Sequence, residues 1–564
     1  MNLPFKKKRK INSEIEPYEI FLDSKNLPDF DMQQFEGFIE KPIGKHNISF
    51  IGVCFVLVAI VFSWKLSILQ IKKGEAYFSK SESNSLEKNP LFANRGIIYD
   101  RNKIELAWNV FGDKDEFPNR AYISDPGFSH ILGYVSYPSK DKSGDYWQAE
   151  FIGRDGIEKQ YNDALRGVNG AVLIETDVKG VTQSASTINP PIHGENITLS
   201  IDARLQKKLY ESIASTVSAA SFKGGTGVIM DISNGEVVAL TNYPEYDSSV
   251  LSMGDDSKKI NGYIHDSRKV FLNRAISGLY APGSIVKPFV ALGALNEKVI
   301  DSKTQILSTG SISVPNPYFP DKESVFNDWK AHGWVDLKEA IAVSSDVYFY
   351  EIGGGYKSQK GLGIMNIGKY TRFFGLDVET NIDLPGESTG SIPSPEWKIK
   401  HFDGDPWRVG DTYNTAIGQY GFQVTPIEMV RGIAALANNG VLVSPHVVEN
   451  TFLPISQKIN IDPSYFKIVK EGMRQTVTAG TATILNVPYV KIAAKTGTAQ
   501  TGNRNQYMNS SVVGFFPYEN PRYAFIILLD GASSKNTISA STTMRSMLDF
   551  MSTGTPEYFA ISKQ

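Results

Sequence analysis

Three short strings carry residue types and spacings that together can do chemistry: Ser284-Ile285-Val286-Lys287, Ser344-Ser345-Asp346 and Lys495-Thr496-Gly497-Thr498. They run in that order, about 60 and then about 150 residues apart. A hydroxyl, an amine one helical turn away and a cationic strand edge are the parts needed for acyl transfer through a serine ester. No string is specific by itself. Ser-x-x-Lys occurs four times, also at Ser85–Lys88, Ser139–Lys142 and Ser464–Lys467, and Lys142-Ser143-Gly144 mimics the third string. Only the set that starts at Ser284 has the order and context of a site, and the other three matches read as solvated turns.

Each string implies an element. Pro282-Gly283 ends a loop and Ser284 opens a helix, where converging N–H groups favour negative charge. Ser284 is the expected nucleophile. Lys287 lies over the same face one turn later and is the expected base, which requires that it lose its charge. Burial and a neighbouring cation both favour that loss, and Lys495 is the candidate cation. Pro288 has no N–H for the Ser284 carbonyl, which loosens the first turn. Ser344 and Asp346 are placed inside one helix spanning about 336–352, among apolar Val343, Val347, Tyr348 and Phe349. Buried there, they need partners within the protein. Ser344 is suited to pass a proton between Lys287 and a leaving amine, and Asp346 to hold a lysine or a substrate amide. Lys495 to Thr498 follow a strand-like run. The Lys495 ammonium and the Thr496 and Thr498 hydroxyls suit a substrate carboxylate, and Gly497 lets an extended peptide approach as an added strand. The N–H groups of Thr498 and Ser284 would form an oxyanion hole.

The surrounding pattern is α+β. A helix capped by Asp202 precedes a hairpin, 226–232 and 236–242, that turns at Ser233-Asn234-Gly235. Helical pieces follow near 285–297, 336–352, 425–438 and 463–478, and Thr425-Pro426-Ile427-Glu428 forms a capping box. Strands return at 490–500, 510–516 and 523–529, before a last helix at about 541–551. Two strands, a helical insertion, three strands and a helix predict one five-stranded antiparallel sheet, assembled from distant parts of the chain and covered by helices.

Ile48 to Trp64 is uncharged, and Leu66 to Ile71 extends it past Lys65, whose stem can snorkel. With 47 residues ahead of it and no small-x-small cleavage site, this run reads as an uncleaved signal anchor in a lipid bilayer. Lys41, Lys45 and the basic cluster Phe5–Lys10 keep the N-terminus cytoplasmic and the bulk outside. The expected divisions are a tail at 1–47, the anchor at 48–71, a mostly β domain at 72–198, the catalytic domain at 199–555 and a C-terminal tail at 556–564. The only cysteine, Cys54, lies in the apolar run, so the bulk has neither disulfide nor thiol chemistry. A net charge of −2 leaves no nucleic-acid footprint. Gly353-Gly354-Gly355 lacks Walker spacing, the seven histidines form no ligand-spaced pair, and Asp328 with His332 reads as a capped or salt-linked loop. No cofactor and no metal is expected.

With these residues in hand, the chain resembles the class B penicillin-binding proteins, monofunctional peptidoglycan D,D-transpeptidases. Asn273-Arg274-Ala275 upstream of Pro282-Gly283-Ser284 and the run Lys495 to Gln500 carry the likeness. Arg95 to Asn102 and Gly153 to Gly170, which in isolation are charged turns and buried ion pairs, look like the family's pedestal, or dimerisation, domain. Asp346 where many relatives have Asn, Phe326 to Lys330, Pro406-Trp407, Gly410-Asp411-Thr412 and Ile417-Gly418-Gln419 are similar to the elongation branch; the septal branch is the nearest alternative. Some relatives similar around Asp328 add a cysteine for zinc, which this chain lacks. The resemblance implies acylation of Ser284 by a stem peptide ending in D-Ala-D-Ala, release of D-Ala, and attack on the ester by a neighbouring amine. It also implies β-lactams as inhibitors, a bacterial plasma-membrane location, a glycan polymerase of the shape, elongation and division family as partner, and a homodimer as one arrangement. A β-lactamase or D,D-carboxypeptidase would use the same serine and lysine with water as acceptor, and a β-lactam sensor would have more spans.

Overall fold

The uncharged run winds into helix α1, Lys45–Ser67, which continues in a wider turn to Lys72. Within Lys45–Lys72 an 18-residue stretch has a mean hydropathy of 2.3, and none of it is buried, so this helix is long and apolar enough to cross a membrane. The computed structural model describes residues 44–77, 86–112, 115–176, 182–319, 321–449, 456–502 and 505–560. The basic cluster Phe5–Lys10, Lys41, nearly all of the tail at 1–47, Ser85 and the last residues of the C-terminal tail lie outside the described residues. The chain forms two compact units, of which the first contains α1 and the second spans Lys88–Ile174 and the chain from Thr182 on.

Within the second unit, strands β1 (Ile98–Tyr99), β2 (Glu105–Val110), β3 (Asn119–Tyr122) and β4 (Ile197–Thr198) form a sheet ordered β4-β1-β2-β3. Helix α2, Gly156–Gln160, presents Glu158 to two buried guanidinium groups. Arg120 Nε donates to Glu158 Oε1 at 2.7 Å, while Arg95 bonds Oε2 and, at 2.8 Å, the Glu158 carbonyl. Burial alone would raise this carboxyl, but Arg120 and Arg95 outweigh it and hold it below its ordinary value. Gly153 is required by close approach: a Cβ there would lie 1.7 Å from the Glu158 carbonyl oxygen. Asp100, fully buried, accepts from Asn102 and Ile104 N–H and reaches Ala203 N at 3.1 Å, where α3 (Ala203–Ala220) begins.

Strands β5 (Gly224–Asp231), β6 (Val237–Tyr243), β7 (Ala493–Thr501), β8 (Tyr507–Phe516) and β9 (Tyr523–Ser533) form one antiparallel sheet ordered β6-β5-β9-β8-β7. Neighbouring residues alternate between two cores. Ile229, Val512 and Ile527 join the core under α3 and α9 (Ala540–Gly554), whereas Val228, Val513 and Ile526 join the core that contains α7 (Pro426–Ala437). Covered on both faces, the strands read as continuous apolar runs rather than alternating ones. The remaining helices that matter here are α4 (Lys287–Asn296), α5 (Leu337–Val343), α6 (Asp346–Gly354) and α8 (Pro463–Thr478). The expected single helix over 336–352 is therefore two, α5 and α6, and the division falls at the second string.

Candidate active site

The nucleophile string is a 3-10 turn, Gly283–Val286, that runs into α4. The cause is Pro288. In an α-helix the Ser284 carbonyl would accept from residue 288, which has no N–H, and it takes Lys287 N instead, one residue earlier. Gly283 has φ +57, donates to the Gly418 carbonyl at 2.9 Å, and packs so closely that a Cβ on Gly418 would lie 2.3 Å from the Gly283 oxygen. Ser284 is part-exposed and lines the cleft, whereas Lys287 is fully buried. Among the described residues the Ser284 hydroxyl has no hydrogen-bond partner.

The second string sits in the break between α5 and α6, not inside a helix. Ser344 adopts φ 59, ψ 40, the left-handed conformation that closes α5, and Ser345 caps α6 by accepting from Tyr348 N. This frees the Ser344 carbonyl, which takes Lys287 Nζ at 2.9 Å. Asp346, the first residue of α6, accepts from the same amine at 2.6 Å. The third string completes the group: Lys495 Nζ, also fully buried, donates to Ser344 Oγ at 2.7 Å and to the Thr496 carbonyl at 2.9 Å. Lys287 Nζ lies 3.4 Å from that same Ser344 hydroxyl. Burial, and then the Lys287 ammonium, push the Lys495 amine well below the ordinary lysine range, against the pull of Asp346. Lys287 has the Asp346 carboxylate as its charged partner.

Lys495, Thr496, Gly497 and Thr498 lie on β7, the edge strand of the sheet, paired on one side with β8. The strand touches the nucleophile turn. A Cβ on Gly497 would lie 2.9 Å from Ile285 Cγ2, and one on Gly283 would lie 3.0 Å from the Thr498 carbonyl. These contacts bring Ser284 beside Thr498 and leave an open strand edge along a cleft of about 850 Å³. Ser284, Ser344, Asp346, Thr496, Gly497 and Thr498 all line it, so a peptide bound as an added strand meets the hydroxyl.

Several lining residues had not been singled out in the sequence. Thr481, just past α8, shares a short hydrogen bond with Thr496 Oγ1, and its N–H bonds the Ala342 carbonyl at 3.2 Å. Asn414, Gln419, Tyr420 and Tyr350 also line the cleft. Tyr420 has φ +63 and packs against Phe402, Trp397 and Trp407. Only Gly418-Gln419 carried a signal, through the family likeness. Asp328 and His332 form the capped loop expected of them: Asp328 Oδ2 accepts from Val347 N at 3.0 Å, with His332 Nε2 3.6 Å from Oδ1.

A family model described as the penicillin binding protein transpeptidase domain matches residues 225–549, and one described as the penicillin-binding protein dimerisation domain matches 113–199. The peptidoglycan D,D-transpeptidase MrdA of Escherichia coli (strain K12) is 28% identical over 616 residues, covering 90% of this chain and 94% of its own length. The crystal structure of Pseudomonas aeruginosa PBP2 in complex with WCK 5153 is similar with a TM-score of 0.69 and 30% identity, over 82% of this chain and 96% of that one. PBP2 of Helicobacter pylori, solved as a complex with MreC, is similar with a TM-score of 0.69 and 26% identity, over 83% and 98%.

Proposed function

The chain belongs to the penicillin-binding protein transpeptidase family, and from that premise we propose that it is a peptidoglycan D,D-transpeptidase of cell elongation, working through an acyl-enzyme on Ser284. The observation that carries the reading is the meeting of Lys287 and Lys495 on one hydroxyl, Ser344, in the cleft that Ser284 lines. In the first half-reaction the Ser284 oxygen bonds the carbonyl carbon of the penultimate D-Ala of a donor stem peptide. The C–N bond to the terminal D-Ala then breaks, and the proton lost by Ser284 ends on the departing nitrogen. In the second half-reaction an amine of a neighbouring stem bonds the same carbon, the ester C–O bond breaks, and Ser284 regains a proton. Lys287 is suited to manage the Ser284 proton, with Asp346 and the Ser344 carbonyl fixing its position. Lys495, whose amine burial pushes well below the ordinary lysine range, and the Ser344 hydroxyl are suited to carry a proton to and from the amines. The Thr496 and Thr498 hydroxyls, Gly497 and the open edge of β7 would hold the donor peptide, and the Thr498 and Ser284 N–H groups its oxyanion.

Elongation rather than septation is supported by relatives carrying the name MrdA and by the PBP2 structures. We assign α1 as the membrane anchor with the N-terminus cytoplasmic and the catalytic unit outside, a membrane glycan polymerase as partner, and β-lactams as covalent inhibitors. The division into a pedestal up to residue 198 and a catalytic domain from 199 belongs to the same proposal. The test is a covalent label. Incubation with penicillin followed by peptide mass spectrometry should find the adduct on Ser284, and Ser284→Ala should lose it with its thermal midpoint unchanged. An adduct elsewhere, or undiminished labelling of the variant, would overturn the assignment.

A further inference from the structure

A loop outside all three strings ties the ends of α5 and α6 together. Asp328 lies between the hairpin strand Glu323–Asn327 and the strand Gly333–Val335, and its side chain is 0% exposed. A carboxylate buried to that degree needs several donors. Asp328 Oδ2 accepts from Ser345 Oγ at 2.8 Å, Val347 N at 3.0 Å and Ser308 Oγ at 3.2 Å, and Oδ1 accepts from Trp329 N at 2.8 Å. Two of these donors, Ser345 and Val347, belong to the first turn of α6 and flank Asp346 on either side. The next residue holds the other side of the break: Trp329 Nε1 donates to the carbonyl of Val343, the last residue of α5, at 3.2 Å. One dipeptide therefore fastens the end of α5 and the start of α6, with Ser344 between them.

We propose that Asp328 is a positioning residue for the transpeptidase reaction: it fixes the α5–α6 break so that the Ser344 carbonyl, the Ser344 hydroxyl and the Asp346 carboxylate meet the two lysines. The inference rests on the reading of Ser284 as nucleophile. Ser345 joins the carboxylate to the helix: its Oγ lies 2.8 Å from Asp328 Oδ2 and 3.0 Å from Ser308 Oγ, and its oxygen accepts from Tyr348 N at 3.3 Å. Without the carboxylate, Val347 N loses its partner and the Ser345 hydroxyl is free to rotate. Asp346, between them, then loses its fixed distance from Lys287, which is 2.6 Å.

The test is a double-mutant cycle on the detergent-solubilised full chain, using fluorescent penicillin. Saturation kinetics separate the initial dissociation constant from the first-order acylation step. Asp328→Asn should slow that step by about 10- to 100-fold while leaving the dissociation constant within about twofold, since the cleft keeps its walls. Ser345→Ala should slow it by less, and the double variant should be no slower than Asp328→Asn alone, because both changes cut one linkage. Trp329→Phe, which keeps an aromatic ring but loses the pyrrole half of the indole with its N–H, should slow acylation several-fold and serves if Asp328→Asn fails to fold. Acylation by Asp328→Asn within about twofold of the parent chain, effects that multiply in the double variant, or a change confined to the dissociation constant would each overturn the proposal. Labelling of Ser284→Ala is the separate arm. If it persists, the nucleophile is wrong; if it is lost while Asp328→Asn acylates normally, only the role of Asp328 fails.

Discussion

Removing the Ser344 hydroxyl tests the proton route, and the backbone at that position supplies its own control. Ser344 is left-handed, at φ 59 and ψ 40, a conformation whose cost of roughly 1 kcal/mol Ser and Ala both bear and Gly escapes. Both changes delete the hydroxyl that takes Lys495 Nζ at 2.7 Å and stands 3.4 Å from Lys287 Nζ. Both keep the carbonyl that receives Lys287 at 2.9 Å, so that lysine stays held. A hydrogen bond to a charged group contributes about 1.5–3 kcal/mol. Lost from the transition state, it slows acylation by about 10- to 150-fold. Ser344→Gly and Ser344→Ala should therefore acylate with fluorescent penicillin at similarly reduced rates, measured by rapid quench. Ser344→Gly should unfold later than Ser344→Ala by about 1 kcal/mol. Wild-type acylation by Ser344→Gly would refute a role for the hydroxyl, because that variant removes it with the backbone unstrained.

Glu158→Gln should destabilise the second unit by about 3–5 kcal/mol, because it leaves the Arg95 and Arg120 charges buried without a counter-charge. Glu519→Gln, which loosens an exposed pair with Lys491, should leave the thermal midpoint in place. The pH dependence has a defined sign. Because Arg120 and Arg95 override burial and lower the Glu158 carboxyl, its stabilisation is complete above the ordinary glutamate value of 4.5 and is lost as pH falls through the lowered folded value. Thermal midpoints measured down to acid pH should show this limb in the parent chain and not in Glu158→Gln; a limb of equal size in both would exclude Glu158 as its source. In living cells, depletion of this chain should produce rounding visible by microscopy, and filamentation instead would move the assignment to septation.

Most of the scaffold is legible where a local rule dominates. Thr425 and Glu428 form the capping box their spacing predicts, with Thr425 N donating to Glu428 Oε2 at 2.7 Å. The Val228-Ile229-Met230 run and its partners form the buried sheet because covered strands are continuously apolar. The break at Ser344 was not legible. Ala342 to Phe349 reads as one apolar helix, and serine gives little warning of a left-handed cap. What stops the helix is a carboxylate some seventeen residues upstream, Asp328, whose bonds to Ser345 and Val347 compete with helix continuation. Asn414 in the cleft lining escaped for a similar reason: the short helix Val409–Ala416 has too few turns for periodicity to declare it.

The same comparison explains why the three strings were informative before any contact was visible. Each one marks a place where the chain departs from regular structure to approach another segment. Pro288 forces the 3-10 turn that presents Ser284, Ser344 in the left-handed region releases a carbonyl for Lys287, and Gly497 removes the side chain that would strike Ile285. Adding a Cβ at Gly497 would also bring it 3.0 Å from the Pro282 carbonyl, so the edge strand and the nucleophile turn can share a wall only with glycine there. Those departures bring two fully buried amines together on one hydroxyl, an arrangement that costs stability because like charges repel and burial disfavours them. A packed core of this size would not retain it for stability alone. Ser344 and Asp346 of this cluster line the same cleft as Ser284 and the open edge of β7, which supports the proposed role of the amine that burial lowers in handling a proton.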